Sequence, residues 1–359
     1  MLSASCVTAQ FRAPPRMPLG DESLRVAIAG ATPLRGKDLG DWIEQSGFPV
    51  GEVRLFDEEL AAGTLTEIAG EPAVVQRIDP FSFEKTQFVF FTGSAAFAAK
   101  HGPAALTAGA TVIDLSGGLS ESPGAYRWIP ALDAVLAPPP PAAKSPAGDR
   151  THLYLSPSTP VIVACSLAAA FSSFDLTRLV ITFLHPVSER GQAGVEELEN
   201  QTVKLLSFQP MPQEVFDVQV AFNLLDHWGP ASKERLSDVR AALRHDVHAY
   251  LAGRVPTPAM ALVQAPVFYA HTFAVYAEFA KAVEPDALMA RVEAAGCKAA
   301  TAEEQAPSNL SVAGEEKPVM GRPERDPSTD RGYWFWGAAD NMRVATANAL
   351  RVAERLLVA

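Results

Sequence analysis

Leu24-Arg-Val-Ala-Ile-Ala-Gly30, followed directly by Ala31-Thr-Pro-Leu-Arg-Gly36, carries the strongest indication of the fold. Its first part is a short apolar run ending in glycine, typical of a buried strand, and residues 37–46 have helical spacing. A glycine-rich turn between a strand and a helix can place helix amides against a pyrophosphate. The stretch therefore predicts the first unit of an α/β fold. The predicted cofactor-binding positions in it are Gly30, Thr32, Leu34 and Gly36.

Pro33 occupies the position of this turn that is usually a second glycine. Proline has no amide hydrogen to donate and adds bulk where a cofactor would approach the backbone. A plain strand-to-helix turn without a nucleotide is therefore an alternative for this stretch.

Strands and helices continue to alternate after the first unit. Apolar runs at 53–56, 88–91 and 111–114 predict further strands, with helical or small-residue segments between them. Such β-α-β units imply a parallel sheet.

A second group of elements follows the proline-rich run at 138–141, which favours polyproline II and predicts a surface loop near a domain boundary. The alanine-rich residues 160–174 predict a buried helix, and 233–251 an amphipathic one. Asp340 is a plausible N-cap for a terminal helix over 341–357. Strands of a second sheet are predicted at 179–184, 218–222, 261–267 and 273–279.

The length and charge of the chain limit its number of domains and the kinds of partner it can bind. The 359 residues (38.3 kDa) are enough for two domains, and 30 basic against 41 acidic side chains give a net charge of -11. This balance argues against nucleic-acid or anionic-membrane partners, although a small anionic ligand needs only a local basic pocket.

Cysteine and histidine usage predicts a reducing, cytoplasmic setting and no metal site. Cys6, Cys165 and Cys297 are far apart, and Cys165 in its apolar run is interpreted as a small buried hydrophobe. His245 and His248 form the only close histidine pair and are interpreted as an exposed helical face. No signal peptide is recognisable, so residues before 23 are expected to be a frayed tail, or the true start is Met17. The uncharged window 255–277 contains three prolines and is expected to form strands rather than a membrane helix.

A series of short motifs extends from about residue 24 to the end of the chain. They are Gly30-Ala-Thr32, Gly47-Phe-Pro-Val50, Gly109-Ala-Thr-Val-Ile-Asp114, Gly194-Val-Glu-Glu-Leu-Glu-Asn-Gln-Thr202, Ala221-Phe-Asn223, Pro266-Val-Phe-Tyr-Ala-His271 and Trp336-Gly-Ala-Ala-Asp-Asn-Met-Arg343. In this order they resemble the aspartate-semialdehyde dehydrogenase family.

The resemblance implies an architecture like that of glyceraldehyde-3-phosphate dehydrogenase. After a tail at 1–22, a Rossmann-type NAD(P)-binding domain would span 23–152 and be completed by the C-terminal helix 340–359. Residues 153–339 would form an α+β dimerisation and substrate domain, and the protein would be a homodimer.

The resemblance also implies a reaction, the reversible reduction of an acyl phosphate. Most of the catalytic and substrate-binding residues that this reaction needs are missing here. The family's nucleophilic cysteine falls at Thr159, and its two substrate-binding arginines fall at Gln264 and Ser120. The glutamine of a Tyr-Gln-x-x-Ser-Gly loop falls at His185. Only His271, the family's acid/base, remains in register. A threonine hydroxyl has no appreciable anion population at neutral pH, and glutamine and serine cannot form a charged fork with an anion.

The residues expected to contact the cofactor also differ from those of the family. Asp57 and Glu58 follow the second strand, where carboxylates would repel the 2′-phosphate of NADP but could accept from a free ribose hydroxyl. The sequence therefore disfavours NADP, allows NAD and predicts that neither is required. Asn341 resembles a nicotinamide-side residue, with a helix cap as the alternative.

The chain thus resembles the family's Usg-type paralogues, which lack the catalytic cysteine. The first hypothesis is a binding or scaffold protein that takes a small-molecule ligand or pairs with a related dehydrogenase subunit. The second is an NAD-dependent oxidoreductase acting on an aldehyde or oxo group through His185 and His271 around Thr159. The third is an ordinary aspartate-semialdehyde dehydrogenase.

Overall fold

The computed structural model describes residues 24–58, 63–68, 71–79, 81–137, 152–301 and 306–358. The expected tail at 1–22, the alternative start at Met17 and the proline-rich run at 138–141 lie outside the described residues.

The first sheet is parallel and has seven strands in the order β5-β2-β1-β6-β7-β9-β8. Its strands are β1 (Leu24–Ala29), β2 (Val50–Asp57), β5 (Gln76–Arg77), β6 (Phe88–Phe91), β7 (Thr111–Asp114), β8 (Tyr126–Arg127) and β9 (Leu153–Leu155). A separate antiparallel hairpin joins β3 (Leu65–Ile68) and β4 (Glu71–Val74). The first sheet thus extends past the predicted boundary at residue 152.

Helices cover both faces of this sheet. They are α1 (Leu34–Gln45), α2 (Ala95–Thr107) and the C-terminal α7 (Arg343–Val358). Leu39 of α1 and Leu350 of α7 share a core with Ile28, whereas Phe97 of α2 packs with Ala27 on the opposite face. The parallel sheet predicted from the alternating strands is confirmed.

The second sheet is mixed, in the order β11-β10-β12-β16-β14-β13, with β15 paired to β16. Its strands are β10 (Leu176–His185), β11 (Ala259–Gln264), β12 (His271–Phe279), β13 (Lys298–Ala299), β14 (Val319–Met320), β15 (Glu324–Arg325) and β16 (Gly332–Ala339). The remaining helices are α3 (Thr159–Phe171), α4 (Gly191–Leu206), α5 (Leu236–Leu251) and α6 (Pro285–Ala294).

One face of the second sheet is buried and the other is open. Ile181, Phe183 and Phe273 point into the core, where every residue of α3 is also buried. On the other face Trp334 and Trp336 are 47% and 42% exposed. Such an uncovered aromatic sheet face is typical of an interface with another chain.

One predicted strand is wrong. Residues 218–222 form an irregular loop, because side chains of α4 satisfy its backbone instead of a strand ladder. The buried Gln201 accepts from the amides of Val220 and Ala221 and donates to the carbonyl of Val218.

Several local predictions agree with the structure. Cys165 is fully buried, and burial raises the pKa of its thiol. His245 and His248 are exposed on α5. Asp340 accepts from the amides of Met342 and Arg343 and so caps α7. Within the described ranges, none of the helices has the length and apolar character needed to cross a bilayer.

Candidate functional site

The glycine turn is fastened to the end of β2. Asp57 is buried, and its Oδ2 accepts from the amide of Thr32 at 2.7 Å and from the Thr32 hydroxyl at 2.5 Å. Its Oδ1 accepts from the Glu58 amide at 2.8 Å. The two residues expected to face a cofactor are therefore bonded to each other.

The glycines of this turn serve close packing. Gly30 has φ +100°, and a Cβ on it would lie 2.2 Å from the backbone nitrogen of Gly93 after β6. A Cβ on Gly36 would lie 2.0 Å from the carbonyl oxygen of Gly30. Leu34 is the first residue of α1, and Pro33 before it provides no amide. The spacing of the glycines is thus explained by the strand–helix contact itself.

Arg35, which sequence reasoning did not single out, reaches across the carboxyl ends of the parallel strands, from the first turn of α1 to the segment after β7. A doubly wound sheet has its cleft at these ends. Nη1 of Arg35 donates to the carbonyl of Leu115, just after β7, at 3.0 Å. Its Nη2 lies 3.9 Å from Oε2 of Glu189, in the loop after β10. In doubly wound sheets this cleft, beside the change in strand order, is where ligands bind.

Glu189 is the second residue of the site that could not be recognised from the sequence motifs. Its Oε1 accepts from Nδ2 of Asn341 at 3.0 Å and from Nε2 of His271 at 3.2 Å. We call Arg35, Glu189, His271 and Asn341 the Glu189 cluster. The sequence did contain an indication that Glu189 is unusual. Ser188 matches the serine of the Tyr-Gln-x-x-Ser-Gly pattern, and Glu189 takes the place of the glycine that follows it.

The electrostatics of the cluster favour an ionised Glu189. Burial raises the pKa of its carboxyl, but the hydrogen bond from His271 and the charge interactions with His271, His185 and Arg35 outweigh this, so the net shift is downward. Burial, and to a lesser extent His271, lowers the pKa of His185 to about 3. His185 is therefore neutral near pH 7.

The two histidines lie side by side, with ring centroids 5.3 Å apart. Both are buried, and Nδ1 of each has no hydrogen-bond partner among the described residues. The structure thus brings together the pair that the oxidoreductase hypothesis requires.

Thr159 begins α3 and is fully buried. Its hydroxyl donates to the carbonyl of Asn341 at 3.0 Å, with the carbonyl of Asp340 3.4 Å away. The Asn341 side chain also accepts from the amide of Ala270 at 2.9 Å. Asn341 therefore holds Thr159, Ala270 and the Glu189 cluster in one network.

Gln264 is also fully buried and saturated with hydrogen bonds. Its Oε1 accepts from Nε1 of Trp228 at 3.1 Å, and its Nε2 donates to the carbonyls of His185 and Ala265 at 2.9 and 3.1 Å. The guanidinium of Arg190 lies over the Trp228 ring, 5.2 Å from its centroid.

Ser120 belongs to a different local structure. It lies in the turn after β7, where its amide donates to the carbonyl of Gly117 and its own carbonyl accepts from Arg127. Four of the five predicted catalytic and substrate-binding positions, Thr159, His185, Gln264 and His271, meet in one network with Asn341, a predicted cofactor residue. The fifth, Ser120, lies in a turn outside it. Across the described residues, no three His, Cys, Asp or Glu side chains are grouped in a way that could hold a metal ion.

Both halves of the chain match models of known protein families. Residues 25–140 match the semialdehyde dehydrogenase NAD binding domain, and residues 167–344 match the semialdehyde dehydrogenase dimerisation domain. The chain is 29% identical to a USG-1 protein homolog of Pseudomonas aeruginosa, over 94% of this chain and 98% of that protein. It is 25% identical to aspartate-semialdehyde dehydrogenase 2 of Vibrio cholerae, over 94% and 98% of the two chains. The solved structure of a probable aspartate-semialdehyde dehydrogenase from Pseudomonas aeruginosa has a TM-score of 0.82 at 28% identity, covering 94% of this chain and 99% of that one.

Proposed function

The chain belongs to the semialdehyde dehydrogenase family, and on that premise we propose that it keeps the family's fold and dimer but not the family's reaction. In this proposal it acts as a binding or scaffold protein. The observation that carries the proposal is the hydrogen bond from the Thr159 hydroxyl to the Asn341 carbonyl. The group at the nucleophile position is buried, neutral and bonded to backbone, so it cannot attack a substrate.

The substrate side supports the same conclusion. A bidentate arginine is the usual holder of a carboxylate or phosphate. Gln264 carries no charge, and both ends of its amide are used within the protein. Binding an anion there would break bonds to Trp228 and His185 without providing a countercharge.

The cofactor side does not fit a tightly held dinucleotide. The carboxylate that would accept from a ribose hydroxyl, Asp57, already accepts from Thr32 and Glu58. Arg35 bridges the cleft beside the turn. We propose that no nucleotide is required, and that NADP is disfavoured further by the charges of Asp57 and Glu58.

The second domain supports a homodimer. It matches a dimerisation domain, and its sheet leaves an aromatic face uncovered. On this face Tyr276 and Trp334 stack with ring centroids 4.9 Å apart, and Arg178 and Glu278 lie beside them as an ion pair. We propose that this face joins two copies, and that it can also join this chain to a related dehydrogenase subunit.

The test is an assay of the purified protein for phosphate-dependent oxidation of aspartate semialdehyde with NAD and with NADP. The Vibrio cholerae enzyme serves as the positive control. Loss of a catalytic nucleophile lowers turnover on the order of a millionfold, so we expect no rate above the blank. Measurable turnover would refute the proposal. The scaffold role is tested by native mass spectrometry of this chain mixed with the aspartate-semialdehyde dehydrogenase of its own organism.

A second candidate is an NAD-dependent oxidoreductase for an aldehyde or oxo group. The closeness of His185 and His271, with Glu189 bonded to His271, favours it, since a carboxylate that orients an imidazole is a common acid–base arrangement. The burial of both rings weighs against it. Aldehyde-dependent reduction of NAD that disappears in His271→Ala would establish this candidate.

A further inference from the structure

The surroundings of Glu189 have the composition of an anion-binding site. Its carboxylate meets an amide NH₂ of Asn341, an imidazole nitrogen of His271 and the guanidinium of Arg35. An ionised carboxylate only accepts, so Nε2 of His271 carries the hydrogen. The three donor residues come from α1, β12 and the segment before α7, while Glu189 comes from the loop after β10.

Arg35 is not used up by Glu189. Its Nε is buried without a partner among the described residues, and its Nη2 is 3.9 Å from the carboxylate. Buried polar atoms of a purely structural network are normally paired. The cluster therefore has spare capacity to bind an anion.

Glu197, a buried glutamate in the same domain, provides the contrast. Glu197 accepts from the backbone amides of Glu214, Val215 and Phe216 at 2.8, 2.5 and 3.2 Å. Apart from the side-chain amide of Gln201 on the same helix, its partners are backbone groups of one loop, as expected for a carboxylate that shapes a chain segment. The partners of Glu189 are instead side chains that bind free carboxylates in many proteins.

We propose that Arg35, His271 and Asn341 form a binding site for a small carboxylate, and that the chain's own Glu189 occupies it. This inference rests on the proposed function, because it takes the cleft to be free of catalytic duty. Glu189 thereby keeps free carboxylates out of the cleft and ties the first domain to the second.

The proposal is tested by removing the internal occupant. Glu189→Ala leaves a cavity lined by the same donors, and formate or acetate should enter it. We expect the melting temperature of Glu189→Ala to rise saturably, by at least about 2 °C, when sodium chloride is replaced by sodium formate at constant ionic strength. The wild type should not respond beyond a general salt effect.

Two matched variants identify the site. Glu199→Ala removes an exposed carboxylate of α4 and should melt at the same temperature in both salts, after correction for the wild type. Arg35→Ala combined with Glu189→Ala removes a donor and should reduce or abolish the formate response. An unchanged response in the double variant would overturn the proposal, as would no response in Glu189→Ala.

If Glu189→Ala folds only in formate, that rescue supports the proposal. If it folds in neither salt, the melting temperatures of Glu189→Gln in the two salts test the proposal instead. Its neutral amide binds the guanidinium of Arg35 less tightly than formate does, so formate must raise its melting temperature above that in chloride. Equal melting temperatures would overturn the proposal. Dehydrogenase activity in the wild type would refute the proposed function but would leave the formate result unaffected.

Discussion

The hydroxyl of Thr159 and the carbonyl of Asn341 are 3.0 Å apart, so the first residue of α3 is bonded to the segment that enters α7. This bond joins the second domain to the helix that packs on the first sheet. It also uses the only polar atom that the Thr159 side chain has. In the function that we propose, the position of the family's nucleophile serves as a structural contact, and several consequences can be measured.

Replacing Thr159 by cysteine should not restore activity. A thiol at a helix start can gain thiolate character, but we propose that the substrate would meet Gln264 and Ser120 in place of the family's two arginines. Two missing charge-assisted contacts cost about 3–6 kcal/mol, a hundred- to ten-thousandfold in rate. A coupled assay should find no turnover in Thr159→Cys, and any activity should require the triple variant with Gln264→Arg and Ser120→Arg. Robust turnover by the single variant would show that an intact anion pocket exists elsewhere.

The open sheet face should hold the dimer together. We expect light scattering to give twice the 38.3 kDa chain mass, with an interface above roughly 1,600 Å² of total buried surface. Trp334→Glu buries a charge in that interface and should give monomers at micromolar concentration. Phe81→Glu, at a position 68% exposed in the first domain, is the control and should remain dimeric. A dimeric Trp334→Glu would place the interface elsewhere.

Nucleotide affinity should be weak and should favour NAD. Pro33 removes a backbone donor, and Asp57 with Glu58 opposes a 2′-phosphate. We expect calorimetry to find NADP binding no tighter than millimolar, with NAD binding more tightly than NADP. Micromolar NADP affinity would contradict both the prediction and the account of the glycine turn.

Stability should fall in mild acid because of His185. Its folded pKa of about 3 lies below the unfolded value of 6.5, so between these values only the unfolded chain binds the proton, and stability is lost as pH falls. The pKa of Glu189 is lowered from 4.5, so its contribution is lost only below that pH. Between pH 7 and pH 5 the wild type should lose about 2 kcal/mol more than His185→Gln. Urea unfolding at the two pH values measures the difference, and equal losses in the two proteins would refute this assignment.

Gln201 should matter more than an ordinary helix glutamine. It accepts from two loop amides and donates to the carbonyls of Pro212 and Val218. Gln201→Ala leaves buried backbone groups unpaired and should lower the free energy of unfolding by about 2–4 kcal/mol. Gln192→Ala, at an exposed position on the same helix, is the control and should stay within about 0.5 kcal/mol of wild type.

Local pattern was enough to predict most elements of the fold. Residues 24–36 gave β1 and the turn into α1, and the apolar residues after Thr159 gave a helix that is buried on every side. The strand predicted at 218–222 was wrong because its amides are satisfied by Gln201, a side chain whose role no local pattern reveals. Apolar character predicts burial, but a strand also needs a neighbouring strand with free hydrogen-bonding groups.

Residue identity and order were enough to predict the family and the parallel sheet, and they predict a threonine, Thr159, at the family's nucleophile position. What the remaining polar groups do depends on how the chain folds. Arg35 and Glu189 are 154 positions apart in the chain, and Asn341 is 152 positions beyond Glu189. Hydrogen bonds and charge interactions act over a few ångströms in space, so partners this far apart in sequence are identified only when the folded chain brings them together.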